Sequence, residues 1–409
     1  MATTRFALWR NRDYLLLWGG QAISVVGSAV QDITLPLLIL ALTRSPAQAG
    51  ITGALGALPF PLLSLPAGGL VDRWERKRVM VVCDAGRALA TGSLPLAVWL
   101  GHLTVMQIDL VAAATGIFAT FFTLAETSAL PNVVGANHLS AALGQNYATA
   151  ATAGVLGPPV GGILYSLGHA LPFLVNALSF AASVLSLRRI HADFHRETRA
   201  VPQRLRTEIV EGLAWAWRHP LIRFLALRNG AANIVYAGSP LLLIILAKQQ
   251  HAPPVAIGAI FASDAFGGVA GALLVDRIQR RVSFAGLAIG LVWITALLFP
   301  LYAIAPSPIA LGLISAVLTF ALVVFDVTQL SYRAVLIPDA LMGRVTSSIR
   351  LLTVGGMALG PALMGALLQT IGPLKTVLVC AAYLVILALA TTVNRRVWAA
   401  SAVPQAEAA

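Results

Sequence analysis

The feature that most constrains this sequence is a series of apolar runs, each about as long as a lipid bilayer is thick. A helix needs roughly 20 mainly apolar residues to cross the hydrocarbon core. Twelve runs approach or exceed that length, and most are separated by short polar connections. The sequence therefore predicts an all-α membrane protein with twelve transmembrane helices. The predicted spans are 14–41, 47–71, 79–100, 104–129, 143–167, 170–188, 221–246, 254–275, 283–304, 308–332, 346–371 and 374–394.

The composition argues against a soluble enzyme. Hydrophobic residues make up 58% of the chain and charged residues only 11%, whereas a soluble domain carries roughly 25% charged residues. No G-x-x-x-x-G-K-S/T phosphate loop is found, so ATP is not expected to drive the protein. Cys83 and Cys380 have no second ligand at metal-binding spacing. We therefore expect no catalytic residues, no metal site and no cofactor.

The basic residues are concentrated in alternate connections, which sets the predicted topology. One side carries most of them, including a group at 73–78 and the stretch 188–223. The other side carries only Arg44, Lys248 and Lys375. Such asymmetry indicates that both termini are cytoplasmic. It also explains the net charge of +12 without a nucleic-acid partner.

The longest connection, 189–220, separates six spans from six. Within it Leu205, Ile209, Leu213 and Trp217 recur at helical spacing, which predicts an amphipathic helix lying on the membrane surface. The helix would tie the two halves together, or it would serve a regulatory or partner-binding role. The predicted domains are an N-terminal six-helix bundle (1–190), a cytoplasmic linker (191–220), and a C-terminal six-helix bundle with a short tail (221–409).

Two motifs repeat between the halves at nearly the same distance. Asp72-Arg73 follows the second span and Asp276-Arg277 follows the eighth, 204 residues later. Gly157-Pro158 in the fifth span recurs as Gly360-Pro361 in the eleventh, 203 residues later. This agreement indicates a duplicated six-helix unit with parallel halves.

The loop after the second span, Gly68-Gly-Leu-Val-Asp-Arg-Trp-Glu-Arg-Lys77, resembles the loop motif of the major facilitator superfamily. The segment 10–14 (Arg-Asn-Arg-Asp-Tyr), the connector 211–220 and Gly343-Arg344-Val345 are similar to the efflux branch that includes macrolide exporters and enterobactin-type siderophore exporters. The resemblance covers the whole chain. It implies two pseudo-symmetric bundles, a small-molecule substrate, protons as a partner, a monomer, and a bacterial inner-membrane location.

The loop motif suggests a conformational latch. Asp72 ends the second span, where a carboxylate can face the positive end of a helix that starts on the same side. In a facilitator-like fold that helix would be the eleventh. The alternative is a static surface ion pair that contributes little. The latch candidates are Gly68, Asp72, Arg73, Arg76, Lys77, Asp84, Arg87, Asp276 and Arg277.

Small residues in the fifth span form a helix-packing motif. Glycine lets another helix approach closely, and proline bends a membrane helix. The motif resembles the antiporter motif of the family, which implies export; ordinary close packing is the alternative reading. Its residues are Gly157, Pro158, Gly161 and Gly162.

Polar side chains on single faces of apolar helices predict a central cavity. In a facilitator-like fold the first, fourth, seventh and tenth spans line it. The substrate-cavity candidates are Gln21, Ser28, Asn229, Asn233, Tyr236 and Thr319. Carboxylates at membrane depth are costly and mark ion pathways. The candidates for proton or cation coupling are Asp32, Asp264, Asp326 and Glu126, and Asp32 comes first because no Arg or Lys lies within one turn of it.

These features favour a proton-driven exporter of amphipathic organic compounds, such as drugs or siderophore-like metabolites, that works by alternating access. Three alternatives remain open at this stage. The same fold could take up a small solute with protons, it could be a membrane sensor or scaffold that transports nothing, or it could move lipids.

Overall fold

The computed structural model describes residues 8–192, 194, 211, 214–337 and 339–400, and every regular element among them is helical. Ten of its helical segments are long and apolar enough to cross a membrane, and a longer run follows them. The ten are α1 Arg12–Thr43, α2 Pro46–Val71, α3 Arg76–Trp99, α4 Val105–Val134, α5 Leu139–Leu167, α6 Leu171–Arg188, α7 Pro220–Gln249, α8 Pro254–Gln279, α9 Phe284–Ala303 and α10 Pro308–Leu336.

The longer run, Asp339–Val393, is two helices joined at Gly372. Gly372 has φ 79° and ψ 167°, a conformation that glycine adopts without the steric penalty of a side chain. We label residues 339–371 α11 and residues 373–393 α12. The apolar part, Thr353–Val393, has 41 residues, about twice the length that one crossing needs. The prediction of an all-α membrane protein with twelve spans is confirmed over the described residues.

Short polar side chains fix where several spans begin. The Asn11 Oδ1 accepts hydrogen bonds from two backbone amides of the first turn of α1, each 3.1 Å long. Such caps contribute about 0.5–2 kcal/mol each. The equivalent capping residues of α2, α4, α9 and α10 are Ser45, Thr104, Ser283 and Ser307.

The first compact unit comprises Met1–Arg199 together with Ala252–Ala262. In it α1 packs against α5 and α6, α3 packs against α4 and α6, and α2 packs against α4. Tyr14, Met80, Phe122 and Leu187 are buried members of its main apolar cluster. These contacts bring α1, α2, α3, α4 and α6 together around the candidate site.

The second compact unit comprises Ala200–His251 and Ser263–Ala409. In it α7 packs along the α11–α12 run, and α9 packs against α10 and the same run. The Trp293 Nε1 donates a hydrogen bond of 2.9 Å to the Thr392 Oγ1, which ties α9 to α12. The predicted domain limits at 190 and 221 remain a prediction.

The predicted amphipathic helix of the linker falls largely outside the described residues. Of its apolar positions only Trp217 is described, at the end of a short helical stretch and about half exposed. The Arg223 guanidinium lies 5.7 Å from the centre of the Trp217 ring. This contact stabilises the turn that leads into α7.

Large apolar side chains point away from both units. Leu89, Leu273, Ile309 and Val393 are each at least three-quarters exposed. In water such a surface would cost about 25 cal/mol for each Å². Because these residues lie on the membrane-crossing helices, lipid is the solvent that this surface suits.

Candidate functional site

A cavity of about 390 Å³ lies within the first unit. Its size falls within the range of small-molecule sites, about 300–1,000 Å³. Helices α1, α2, α3, α4 and α6 contribute to its wall. Its polar and aromatic lining includes Ser28, Gln31, Asp32, Arg87, Asn176 and Phe180.

Arg87 is held in the cavity wall by a buried ion pair with Asp84. The Arg87 Nη1 lies 3.0 Å from the Asp84 Oδ1, and the Asp84 side chain is fully buried. The guanidinium also lies 4.0 Å from the centre of the Phe180 ring, in cation–π contact. The positive charge of Arg87 is therefore already compensated by a carboxylate outside the cavity lining.

Asp32 faces the cavity from α1, and its side chain is exposed there. Among the described residues no hydrogen-bond or ion-pair partner is found for its carboxylate. Arg87 of the same wall interacts electrostatically with Asp32 but is bonded directly to Asp84, so two carboxylates share one guanidinium and the wall keeps an acidic excess. A carboxylate at membrane depth without a directly bonded partner suits the binding of a proton or a cationic group.

A pair of amides completes the polar wall beside Asp32. The Asn176 Nδ2 of α6 donates a hydrogen bond of 2.6 Å to the Gln31 Oε1 of α1. Sequence reasoning missed both residues. Their signal was an amide side chain inside an otherwise apolar span, which is rare because an unpaired amide there is costly.

The remaining sequence-predicted cavity residues have different places. Ser28 lines the cavity of the first unit. Gln21 donates a hydrogen bond of 3.2 Å to the Ser183 Oγ, so it lies in the contact between α1 and α6. In the second unit, the Asn233 Nδ2 donates a hydrogen bond of 3.1 Å to the Thr353 backbone oxygen.

The other intramembrane carboxylates differ from Asp32 in their surroundings. Asp264 accepts hydrogen bonds from the Ser315 Oγ, at 2.6 Å, and from the Thr319 hydroxyl. Glu126 is half-buried in α4 and interacts electrostatically with the Asp84–Arg87 pair. Asp264 therefore has hydrogen-bond donors that Asp32 lacks among the described residues, whereas Glu126, like Asp32, interacts with Arg87 electrostatically.

Asn229 and Tyr236 of α7 lie beside an arginine that the sequence analysis did not single out. The Arg228 Nη1 donates a hydrogen bond of 3.1 Å to the Asn229 Oδ1. Arg228 and the Tyr236 hydroxyl also interact electrostatically. The signal in the sequence was a basic residue eight positions inside α7.

The latch candidates fall into two groups. Asp72, Arg73, Asp276 and Arg277 are exposed at the ends of α2 and α8. Gly68 lies in the last turn of α2, with open space on the side where a Cβ would be. These residues are placed where a surface latch requires them, and the latch itself remains a prediction.

The basic residues at the start of α3 bind backbone oxygens. The Arg76 Nη1 donates to the Ser128 and Phe194 oxygens, at 3.1 and 3.3 Å. The Lys77 Nζ donates to the Ile190 oxygen at 2.6 Å. Arg87 lies about 15 Å further along α3 than Lys77, at 1.5 Å per residue, and lines the cavity, with Asp84 bonded to it from outside the lining. Within the first unit, Arg76 and Lys77 thus tie α3 to the chain that follows α6.

The small residues of α5 support close packing against α1. A Cβ on Gly161 would lie 2.9 Å from the Val30 backbone oxygen, so α1 could not approach a larger residue as closely. A Cβ on Gly157 would meet Ala29. Pro158 and Gly162 are also buried in α5.

Comparison with known proteins places this fold among membrane transporters. The family model described as transmembrane secretion effector matches residues 3–408. The chain is 28% identical over 383 residues to the multidrug efflux pump Tap of Mycobacterium tuberculosis, covering 89% of this chain and 88% of that protein. It is 25% identical over 281 residues to macrolide efflux protein A of Streptococcus pyogenes, covering 67% and 69%.

Solved structures of transporters share the fold at low identity. The nucleoside transporter NupG matches with a TM-score of 0.76 and 16% identity, covering 93% of this chain and 98% of that chain. A bacterial homologue of the iron transporter ferroportin, in an inward-facing state, matches with a TM-score of 0.74 and 17% identity, covering 94% and 98%. At this identity the likeness concerns the fold alone.

Proposed function

The chain belongs to the transmembrane secretion effector family of major facilitator transporters, and on this premise we propose that it exports amphipathic organic compounds in exchange for protons. Export is the direction named for its relatives, a multidrug efflux pump and a macrolide efflux protein. The charge asymmetry of its connections supports a multi-pass inner-membrane protein with both termini in the cytoplasm.

The observation that carries the proposal is the Asp32 carboxylate in the cavity of the first unit, which no group of the described residues bonds directly. Arg87 interacts electrostatically with Asp32 but is bonded directly to Asp84 at 3.0 Å, so one guanidinium faces two carboxylates and a negative excess remains. The lining also offers amides, hydroxyls and the Phe180 ring. Such a wall suits a bulky substrate with an apolar body and a cationic group.

Exchange follows if the proton and the substrate compete for Asp32. A deprotonated Asp32 attracts the cationic group, and protonation removes that attraction and favours release. The proton and the substrate each stabilise a different state of the alternating-access cycle when bound at Asp32. Proton entry down its gradient can therefore drive substrate export. Asp32 is the coupling residue in this scheme, and Asp264, which two hydroxyl groups already bond, is not.

The test is efflux of ethidium, a fluorescent amphipathic cation, from cells with an imposed pH gradient. We expect gradient-dependent efflux with the unaltered protein and its loss in Asp32→Asn. Asp109→Asn is the matched control, because Asp109 is an intramembrane carboxylate already bonded by Gln48 and Thr52, at 2.9 and 2.6 Å. Membrane insertion of each variant is checked by size-exclusion chromatography of a fluorescent fusion.

The outcomes separate the possible roles. Loss of efflux in Asp32→Asn but not in Asp109→Asn supports coupling through Asp32. Efflux that Asp32→Asn leaves unchanged contradicts it. Accumulation of ethidium that follows the proton gradient inward would instead support uptake, and the absence of any gradient-dependent flux for a panel of amphipathic cations would favour a sensor or scaffold.

A further inference from the structure

The second unit contains a buried arginine, Arg228, that no carboxylate of the described residues bonds directly. Arg228 is only 5% exposed. Its Nη1 bonds to the Asn229 amide oxygen at 3.1 Å, and its guanidinium lies 4.7 Å from the centre of the Phe325 ring. Its Nε is buried, and the described part of the chain offers it no hydrogen-bond acceptor. A buried donor on a charged group normally has a partner, because leaving it unpaired is costly.

A second arginine joins the same hydrogen-bonded cluster. The Arg333 Nη2 donates a hydrogen bond of 3.3 Å to the Gln329 Oε1. That oxygen also accepts a hydrogen bond of 3.0 Å from the Asn229 Nδ2. We call Arg228, Asn229, Gln329 and Arg333 the arginine–amide cluster. Its two cationic groups are held in place by neutral amides.

The charges around the cluster leave a positive excess. Asp326 interacts electrostatically with both arginines, but the described residues contain no ion pair between Asp326 and either of them. Among the described residues one carboxylate faces two guanidinium groups, which leaves an excess of one positive charge. Arg87 in the first unit is different, because it is bonded directly to Asp84.

The excess positive charge of the cluster suits the binding of an anionic group. A basic side chain at membrane depth is expensive, so it is a candidate for a functional site. The planar guanidinium matches the two oxygens of a carboxylate better than any other side chain does. Both Arg228 and Arg333 belong to helices, α7 and α10, that pack within one compact unit.

We propose that the arginine–amide cluster binds the carboxylate of the transported compound. The inference rests on the proposed export function and makes it more specific, because it adds amphipathic molecules with a carboxylate, zwitterions among them, to the substrates. The free Nε and the neighbouring Nη2 of Arg228 form the fork that receives the carboxylate. Arg333 and the amides keep the site positive and hold Arg228 in position.

The experiment compares two dyes that differ in one group. Rhodamine B carries a carboxylate, and its ethyl ester has the same ring system without that charge. Binding of each dye to the purified full-length protein is measured by fluorescence anisotropy in nanodiscs of phosphatidylcholine, where no anionic lipid competes. The variants are Arg228→Gln, Arg228→Lys and the control Arg396→Gln, which changes an exposed arginine beyond α12.

The readout is the ratio of the two affinities, which a general loss of folding does not change selectively. The unaltered protein and Arg396→Gln are expected to prefer rhodamine B, and Arg228→Gln is expected to lower the preference about tenfold, as for loss of a charge-assisted hydrogen-bonded pair. Arg228→Lys should lie between them, because lysine keeps the charge but not the fork. A preference that is absent, or unchanged in Arg228→Gln, would overturn the proposal.

Transport of the same dyes separates this proposal from the export function. If binding of rhodamine B depends on Arg228 but neither dye leaves cells in response to a pH gradient, the anion site stands and the export function fails. If the ester is exported and rhodamine B neither binds nor moves, the export function stands and the anion site is rejected.

Discussion

The buried ion pair between Asp84 and Arg87 gives the sharpest prediction about stability. Their atoms are 3.0 Å apart, and the side chains are 0% and 12% exposed. Removing one partner leaves an uncompensated charge inside the unit, which costs about 3–5 kcal/mol. Replacing both by apolar residues of similar size removes that penalty and is often nearly neutral. Asp84→Leu and Arg87→Met are therefore each expected to be strongly destabilising, and the double variant much less so.

The expected size of the effect can be worked out for a unit of this size. In domains of 150–250 residues a change of 1 kcal/mol shifts the Tm by about 2–4 °C. Each single variant should thus lower the Tm by about 6–20 °C, and the double variant by clearly less than the sum. The assay is thermal unfolding of the detergent-purified protein, followed by its tryptophan fluorescence.

The chain supplies a matched control with the same spacing. Arg78 and Glu75 also form an ion pair across three residues, at 3.4 Å, but their side chains are 80% and 45% exposed. Exposed pairs contribute at most about 1 kcal/mol, so Glu75→Leu should shift the Tm by no more than a few degrees. Two results would refute the reasoning. One is a double variant whose Tm falls by the sum of the two single shifts, and the other is a shift in Asp84→Leu or Arg87→Met no larger than that in Glu75→Leu.

Three further substitutions test other contacts, each by the Tm of the purified protein. Gly161→Ala should lower the Tm because its Cβ would lie 2.9 Å from a backbone oxygen of α1. Gly144→Ala, with open space around the Cβ, should leave the Tm unchanged or raise it slightly. Equal Tm shifts in the two variants would argue against close packing of α1 and α5. Thr52→Val should cost about 1.5–3 kcal/mol by removing a hydroxyl donor to the Asp109 carboxylate, and an unchanged Tm would contradict that bond. Asn176→Leu should cost about 1–3 kcal/mol by leaving its buried amide partner unpaired and should also weaken ethidium efflux, so a variant as stable and active as the parent would exclude a role in the wall.

Much of the fold follows from local sequence. The apolar runs predict the spans because a helix is the structure that satisfies its own backbone in lipid. The predicted boundary between the last two spans, after residue 371, coincides with Gly372, where positive φ ends the helix. The structure begins α11 at Asp339, before the predicted residue 346, because polar residues there still continue a helix without adding apolar length.

The site is less accessible to sequence reasoning because its decisive contacts join distant residues. Asp32 stands out as an acidic residue in an apolar span, and the structure places it on a cavity. The sequence predicts Arg87 to be part of a latch at the start of the third span, and nothing local shows that it shares the cavity wall with Asp32. The Asn176–Gln31 bond joins residues 145 positions apart. Gln21 shares a helix face with Asp32 yet bonds to Ser183, since α6 and not the cavity covers that part of α1.

Proton movement that accompanies substrate movement is the most direct test of proton-coupled export through Asp32. The protein is reconstituted in liposomes that contain pyranine, and ethidium is added outside in the absence of an imposed pH gradient. Entry of ethidium should drive protons out and raise the internal pH, and Asp32→Asn should abolish this change although the protein is inserted. Entry of ethidium without any change of internal pH, or a change that Asp32→Asn leaves intact, would contradict coupling at this residue.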